Sequence, residues 1–278
     1  MELPSHPGPI GVFDSGYGGL TILRQIRQFL PQYDYLYLGD NARAPYGSHS
    51  FEVIYQYTLQ AVEALFERGC HLVILACNTA SAKALRTIQQ NDLQQLDPDR
   101  RVLGVIRPTV EAVDQLTQTR HVGVLATCGT IQSRSYEMEL NKMDPNIVVT
   151  GEACPMWVPL VEYLEYDSPG ADYFIQKQID HILQRDPQID TLILGCTHYP
   201  LLMEKIVKYV PTGVRLIPQG EYVAASLKDY LRRHPEMEVR CTRGGDCHYL
   251  TTENTEKFQE SAALFMHESH LTAEKIIL

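Results

Sequence analysis

The chain reads as α/β, built from two similar α/β domains with mainly parallel sheets, pseudo-twofold related, with the active site in the interdomain cleft. Three observations predict this. Short β-branched runs alternate with helical patterns along the 278 residues, the order that produces parallel sheets. The stretch Ile10-Gly-Val-Phe-Asp-Ser-Gly-Tyr-Gly-Gly-Leu-Thr21 recurs in weaker form 112 residues later as Val122-Gly-Val-Leu-Ala-Thr-Cys-Gly-Thr-Ile131. A second pair, Leu72-Val-Ile-Leu-Ala-Cys77-Asn-Thr79 and Leu192-Ile-Leu-Gly-Cys196-Thr-His198, lies 119 residues apart. Two motif types recurring in one order at nearly one offset are what a duplicated unit leaves behind.

Taken in order, the first strand, residues 10–13, runs into the turn Asp14-Ser-Gly-Tyr-Gly-Gly19 and then a helical pattern from Leu20. Such glycines let backbone N–H groups converge on an anion at a helix start, although the spacing matches neither a dinucleotide fingerprint nor a P-loop. A tight turn capped by Asp14 or Ser15 is the plainer reading. The second strand, 35–38, ends in Asp40-Asn-Ala-Arg-Ala-Pro-Tyr-Gly47, a loop stiffened by Pro45 and turned by Gly47, whose N–H groups are suited to a carboxylate. The third, 72–76, delivers Cys77 to a helix start. The fourth, 102–105, follows a polar stretch containing Pro98, where a domain boundary is expected. The strands 122–125, 147–149, 192–194 and 214–217 repeat this series, with Thr127 and Thr130 closing the first of them and Cys196 the third.

Composition narrows the function. With 44% hydrophobic residues the chain can build substantial cores. A net charge of −10 without a compensating basic run argues against a nucleic-acid partner. No apolar stretch approaches the roughly 18 residues of a membrane span, and the first nine residues lack a signal-peptide layout. The expectation is a cytoplasmic protein with no membrane partner. Seven cysteines without a Cys-x-x-Cys pair imply reduced thiols. Cys70, Cys128, Cys154, Cys241 and Cys247 read as packing residues, and no metal site is expected from them.

The chemistry then centres on Cys77 and Cys196. A sulfur at a helix N-terminus meets unpaired N–H groups and the positive end of the dipole, which bring a thiol pKa from about 8.5 to roughly 3.5–7.5. An inert buried thiol is the alternative for one such cysteine. A matched pair suggests two acid/base groups on opposite faces of one carbon centre. Asn78, Thr79 and Thr197 have the capping residue types, or else bind a carboxylate or ammonium. His198 has the chemistry to exchange protons with Cys196 or stabilise its thiolate.

Five motifs in order, Asp14-Ser-Gly-x-Gly-Gly, Pro45-Tyr-Gly47, Ala76-Cys-Asn-Thr-Ala80, Ala153-Cys-Pro155 with Pro159-Leu-Val-Glu162, and Gly195-Cys-Thr-His-Tyr-Pro200, resemble bacterial glutamate racemases of the cofactor-independent aspartate/glutamate racemase superfamily. The resemblance runs from about Ile10 to Ile217. It implies residues 1–100 plus 213–278 as a discontinuous first domain carrying Asp14 and Cys77, and 101–212 as a second carrying Thr130 and Cys196. It further implies interconversion of L- and D-glutamate with no cofactor and no metal, supplying D-glutamate for peptidoglycan. By matching position Cys77 and Cys196 are the acid/base pair, assisted by Asp14 and His198. The ligand would be bound by Asp14, Ser15, Pro45, Tyr46, Gly47, Asn78, Thr79, Thr130 and Thr197, with Asp40, Glu162 and Thr127 auxiliary. Some family members form homodimers. Racemisation of aspartate or hydantoins, maleate isomerisation, an amino-acid sensor with a retired site, and a thiol-redox protein are the competing readings. Intact cysteines in separate halves argue against the last two.

Overall fold

The computed structural model describes residues 6–268 and 271–278, with the side chain of Asp114 outside the description. Among the described residues ten strands form two sheets, and every pairing is parallel. They are β1 Ile10–Asp14, β2 Tyr35–Gly39, β3 Leu72–Leu75, β4 Arg101–Gly104, β5 His121–Ala126, β6 Val148–Ala153, β7 Thr191–Gly195, β8 Arg215–Ile217, β9 Cys247–Thr251 and β10 Ala273–Lys275. The first sheet has the order β10-β9-β2-β1-β3-β4, the second β6-β5-β7-β8. All eight expected strands are present. Residues 10–13 of β1 and 122–126 of β5 are apolar and buried because helices cover both faces, as parallel sheets require.

The duplication is exact in topology. The spatial order β2-β1-β3-β4 repeats as β6-β5-β7-β8. Register makes the two offsets one: Gly11 pairs with Val73, and Gly123 pairs with Leu192. Four residues on from those partners stand Cys77 and Cys196. Asp14 therefore corresponds to Ala126 and Ser15 to Thr127.

Sheet membership changes after Gly104 and again after Ile217, since β4 pairs with β3 and β8 with β7. Each crossing thus falls four or five residues beyond the positions 100 and 212 that the resemblance implies. A polar stretch with a proline marks where pairing becomes difficult locally, whereas the ladder continues for as long as partners are available. After the second crossing the helix Gly220–Arg233 packs on the helix Gly19–Phe29, with Val223, Ala224 and Leu227 buried in the same core as Leu20 and Leu23. The tail adds β9 beside β2 and β10 beside β9, a sheet extension without a sequence-level expectation. Among the described residues no helix is long and apolar enough to cross a membrane.

Candidate active site

Strand ends of both sheets converge on one small cavity of about 30 Å³. The first sheet supplies Ser15 and Gly16 after β1, Ala44 to Gly47 after β2, and Cys77, Asn78 and Thr79 after β3. The second supplies Thr127 after β5, Val158 and Glu162 after β6, and Cys196, Thr197 and His198 after β7. Each half thus presents its first, second and third strand ends, where open parallel sheets hold ligands. Cys77 and Cys196, both buried, share this cavity.

The two sulfurs have different surroundings. Cys77 caps the helix Asn78–Lys83, its Sγ accepting the Ala80 N–H at 3.4 Å. The Cys77 S–H reaches Ser15 Oγ at 3.4 Å. A helix start alone would favour thiolate, but burial dominates, and with Asp14 nearby it pushes the Cys77 thiol up to about 12. The expected lowering therefore does not occur at Cys77. One and a half turns of helix cannot replace the hydration that burial removes.

Cys196 is followed by a turn and the 3₁₀ segment Tyr199–Leu202, which precedes the helix Met203–Tyr209. The i+3 bonds Tyr199 N–H to Cys196 O at 3.2 Å and Leu201 N–H to His198 O at 3.2 Å tighten that turn. Its neighbour is a histidine with a partner on each ring nitrogen: His198 Nδ1 lies 3.8 Å from the sulfur, and His198 Nε2 lies 2.5 Å from Glu162 Oε1. Burial by itself disfavours the imidazolium, but the Cys196 sulfur and the Glu162 carboxylate outweigh it and hold the His198 pKa well above its ordinary value. The turn is anchored from below by Tyr199, whose ring meets the fully buried Trp157 edge-on at 4.7 Å. Such a pair contributes about 0.5–1.5 kcal/mol beyond its buried area.

Of the residues singled out in sequence, Cys77, Cys196, Ser15, Pro45, Tyr46, Gly47, Asn78, Thr79, Thr127, Thr197, His198 and Glu162 line the cavity. Asp14 lies behind the wall, fully buried, accepting the Gly16 N–H at 2.9 Å and the Thr197 hydroxyl at 3.3 Å. Burial raises its pKa even though His198 draws it down. Thr130 also stands back, reaching Thr127 at 3.1 Å and Thr79 at 3.4 Å through their hydroxyls. Asp40 is turned away and saturated. It accepts from Arg43 Nε at 2.7 Å, from Thr252 Oγ1 at 2.9 Å and from the Tyr46 hydroxyl, fixing the loop that presents Pro45 and Tyr46. Ala44 and Val158 line the cavity without a sequence signal beyond their neighbours. A larger cavity of about 680 Å³, between the helices Ile106–Leu116, Ser135–Met143 and Gly220–Arg233, includes neither Cys77 nor Cys196.

Fold and site define a doubled parallel α/β protein with one buried cysteine from each half lining a single cleft. Comparison with known proteins agrees. The profile of the Asp/Glu/hydantoin racemase family matches residues 20–227. Glutamate racemase of Ruegeria sp. (strain TM1040) is 39% identical over 267 residues, covering 92% of this chain and 96% of the relative. Glutamate racemase of Geobacter metallireducens is 38% identical over 244 residues, 88% of this chain and 87% of the relative. Among solved structures, the isoform RacE1 of Bacillus anthracis superposes with TM-score 0.88 at 33% identity, covering 98% of both chains. The Francisella tularensis enzyme, in complex with D-glutamate, superposes with TM-score 0.85 at 32% identity, covering 98% of this chain and 97% of that one. The Escherichia coli enzyme, in complex with L-glutamate and the activator UDP-MurNAc-ala, gives 0.73 at 28% identity, covering 97% of this chain and 98% of that one. The chain belongs to the Asp/Glu/hydantoin racemase family and is an isomerase, an amino-acid racemase.

Proposed function

We propose that this protein interconverts L- and D-glutamate in the cytoplasm, supplying D-glutamate for peptidoglycan, by proton transfer between two cysteines and the α-carbon. One observation carries the reading: Cys77 and Cys196 come from equivalent register positions of two matched sheets and face one cavity. Relatives with bound D-glutamate and L-glutamate support the choice of substrate.

The unequal surroundings of the sulfurs supply the resting state. Cys77 is a thiol, and Cys196, beside the protonated His198, is the base. Cys196 takes the α-proton: the Cα–H bond breaks, an S–H bond forms, and the electron pair is left on the carbon next to the carboxylate. Hydroxyls of Ser15, Thr79 and Thr197 and the amide of Asn78 stabilise that charge. Cys77 then delivers its proton to the opposite face and becomes thiolate. The reverse direction exchanges the roles. Two thiolates in so dry a cleft repel, which keeps the pair singly ionised.

In deuterium oxide, solvent deuterium should appear first in the newly formed enantiomer; equal early labelling of recovered substrate would point to a single base. Cys77→Ala and Cys196→Ala should each lose about 10²–10⁴-fold in turnover, the range for an acid or base, while circular dichroism stays native.

A further inference from the structure

Asn78 lines the cavity beside Cys77, and a primary amide has two ends of opposite polarity. Which end faces the ligand decides whether it recognises a carboxylate or an ammonium. The structure settles this through residues outside the cavity.

A backbone carbonyl can only accept. Thr109 donates its hydroxyl to the Val105 carbonyl at 2.8 Å. Its oxygen is then left to accept, and Gln219 Nε2 donates to it at 3.0 Å. That contact fixes the NH₂ end of Gln219. The second Nε2 hydrogen goes to the Tyr136 hydroxyl oxygen at 2.6 Å, with Asn78 Oδ1 a longer contact of the same nitrogen at 3.2 Å. Tyr136, having accepted, donates its own proton onward to Asn78 Oδ1 at 2.7 Å. Burial raises the Tyr136 pKa and keeps that proton in place. The other end of Gln219, Oε1, accepts from Asn78 Nδ2 at 2.6 Å. Both ends of the Asn78 amide are thereby assigned, and no step has two donors or two acceptors meeting.

An amide nitrogen carries two hydrogens, and one of the Asn78 pair is spent on Gln219. Among the described residues the other has no partner, and Asn78 borders the cavity. We propose that Gln219 and Tyr136 are positioning residues that lock the Asn78 amide with an N–H directed at the ligand, so that Asn78 recognises a carboxylate and not the ammonium. The chain of bonds also joins both halves of the molecule. Asn78 follows β3 of the first sheet, Tyr136 lies in the helix Ser135–Met143 beside the second sheet, and Thr109 and Gln219 follow the two crossings between them. The donor is thus presented only while the halves hold their relative placement.

This inference rests on the glutamate reading, so its test includes a measurement that does not need turnover. In protein labelled with ¹⁵N at asparagine and glutamine side chains, the Asn78 and Gln219 amide signals are identified by their loss in Asn78→Asp and Gln219→Glu. Both should exchange slowly with water. D-glutamate should shift one of the two Asn78 protons far more than the other. Tyr136→Phe keeps the ring but removes the shorter of the two bonds to Asn78 Oδ1, leaving only Gln219 Nε2 at 3.2 Å and so loosening the amide. It should raise KM for both glutamate enantiomers about tenfold, the scale of one hydrogen bond, with kcat within about twofold. Gln219→Glu, which lacks the NH₂ end, should do the same or more. An unchanged KM in Tyr136→Phe, or an Asn78 amide indifferent to bound glutamate, overturns the assignment. If wild type neither binds nor turns over glutamate, the substrate reading fails, while a fast-exchanging Asn78 amide would overturn the lock independently.

Discussion

His198 shows how burial and partners compete at a single residue. Its ring is buried, which disfavours charge, yet Cys196 on one nitrogen and Glu162 on the other keep the proton on. A histidine whose folded pKa lies above its ordinary 6.5 contributes stability that is complete below 6.5 and is lost as pH rises through the raised value. Glu162→Gln removes one of the two supports. The His198 ring titration, followed by proton NMR, should move down toward 6.5, and the stability gap between wild type and variant should be widest in acid and close on the alkaline side. An unmoved titration would mean that Glu162 is not the partner that matters. This pair was half legible in sequence. His198 announces itself beside Cys196, but Glu162 stands 36 residues away, and only the path after β6 brings the two together.

At the scale of elements, the site depends on loops from the two sheets approaching without side chains between them. The turn after β1 presses Gly18 against the turn after β7: a Cβ there would stand 2.3 Å from Thr197 Oγ1 and 2.5 Å from His198 Nδ1. Gly18 has ordinary helical dihedrals, so the requirement is for space and not for backbone freedom. Gly18→Ala should therefore fold normally but displace Thr197 and His198. A misplacement on the order of 1 Å lowers turnover by about 100-fold. Gly47→Ala makes the parallel case, with its Cβ 2.9 Å from Thr127 Cβ. Near-native kcat in both variants, with an unchanged melting temperature, would show that the approach is not needed for chemistry. Sequence displays these glycines as turn residues because turns are local. That they face the opposite sheet is a tertiary fact. The same limit explains Gln219: it follows a strand end just as Cys77 and Cys196 do, but the run before it ends in Pro218 and opens no recurring motif that would draw notice. β9 escaped for a different reason, since Cys-His-Tyr-Leu-Thr has too few β-branched residues to stand out and becomes a strand by adding to the exposed edge of β2.

The whole molecule buries five of its seven cysteines, and this makes it sensitive to base. Cys70, Cys77 and Cys241 are each pushed by burial from 9.0 up to about 12, and Cys154 is raised as well. The duplication explains part of this, because two cores and an enclosed cleft offer more apolar sites than one. The sign follows from which state loses its protons first. Above pH 9 the unfolded chain ionises these thiols while the folded chain keeps them protonated, so stability present below 9 falls as pH climbs toward 12. Buried tyrosines such as Tyr35 and Tyr136 act with the same sign, but only above their ordinary 10.0. The interval between 9 and 10 thus belongs to the thiols. Denaturant midpoints should be level near neutrality and begin to fall at about pH 9, before any tyrosinate absorbance develops. Cys70→Ala, at the opposite end of β3 from Cys77, outside the cavity lining and buried in the core, should make that early fall shallower while leaving racemisation intact. A midpoint that stays flat until tyrosinate appears would mean that the buried sulfurs exchange protons as freely as exposed ones, and with that the thiol form of Cys77 on which the directional proton transfer depends would be lost.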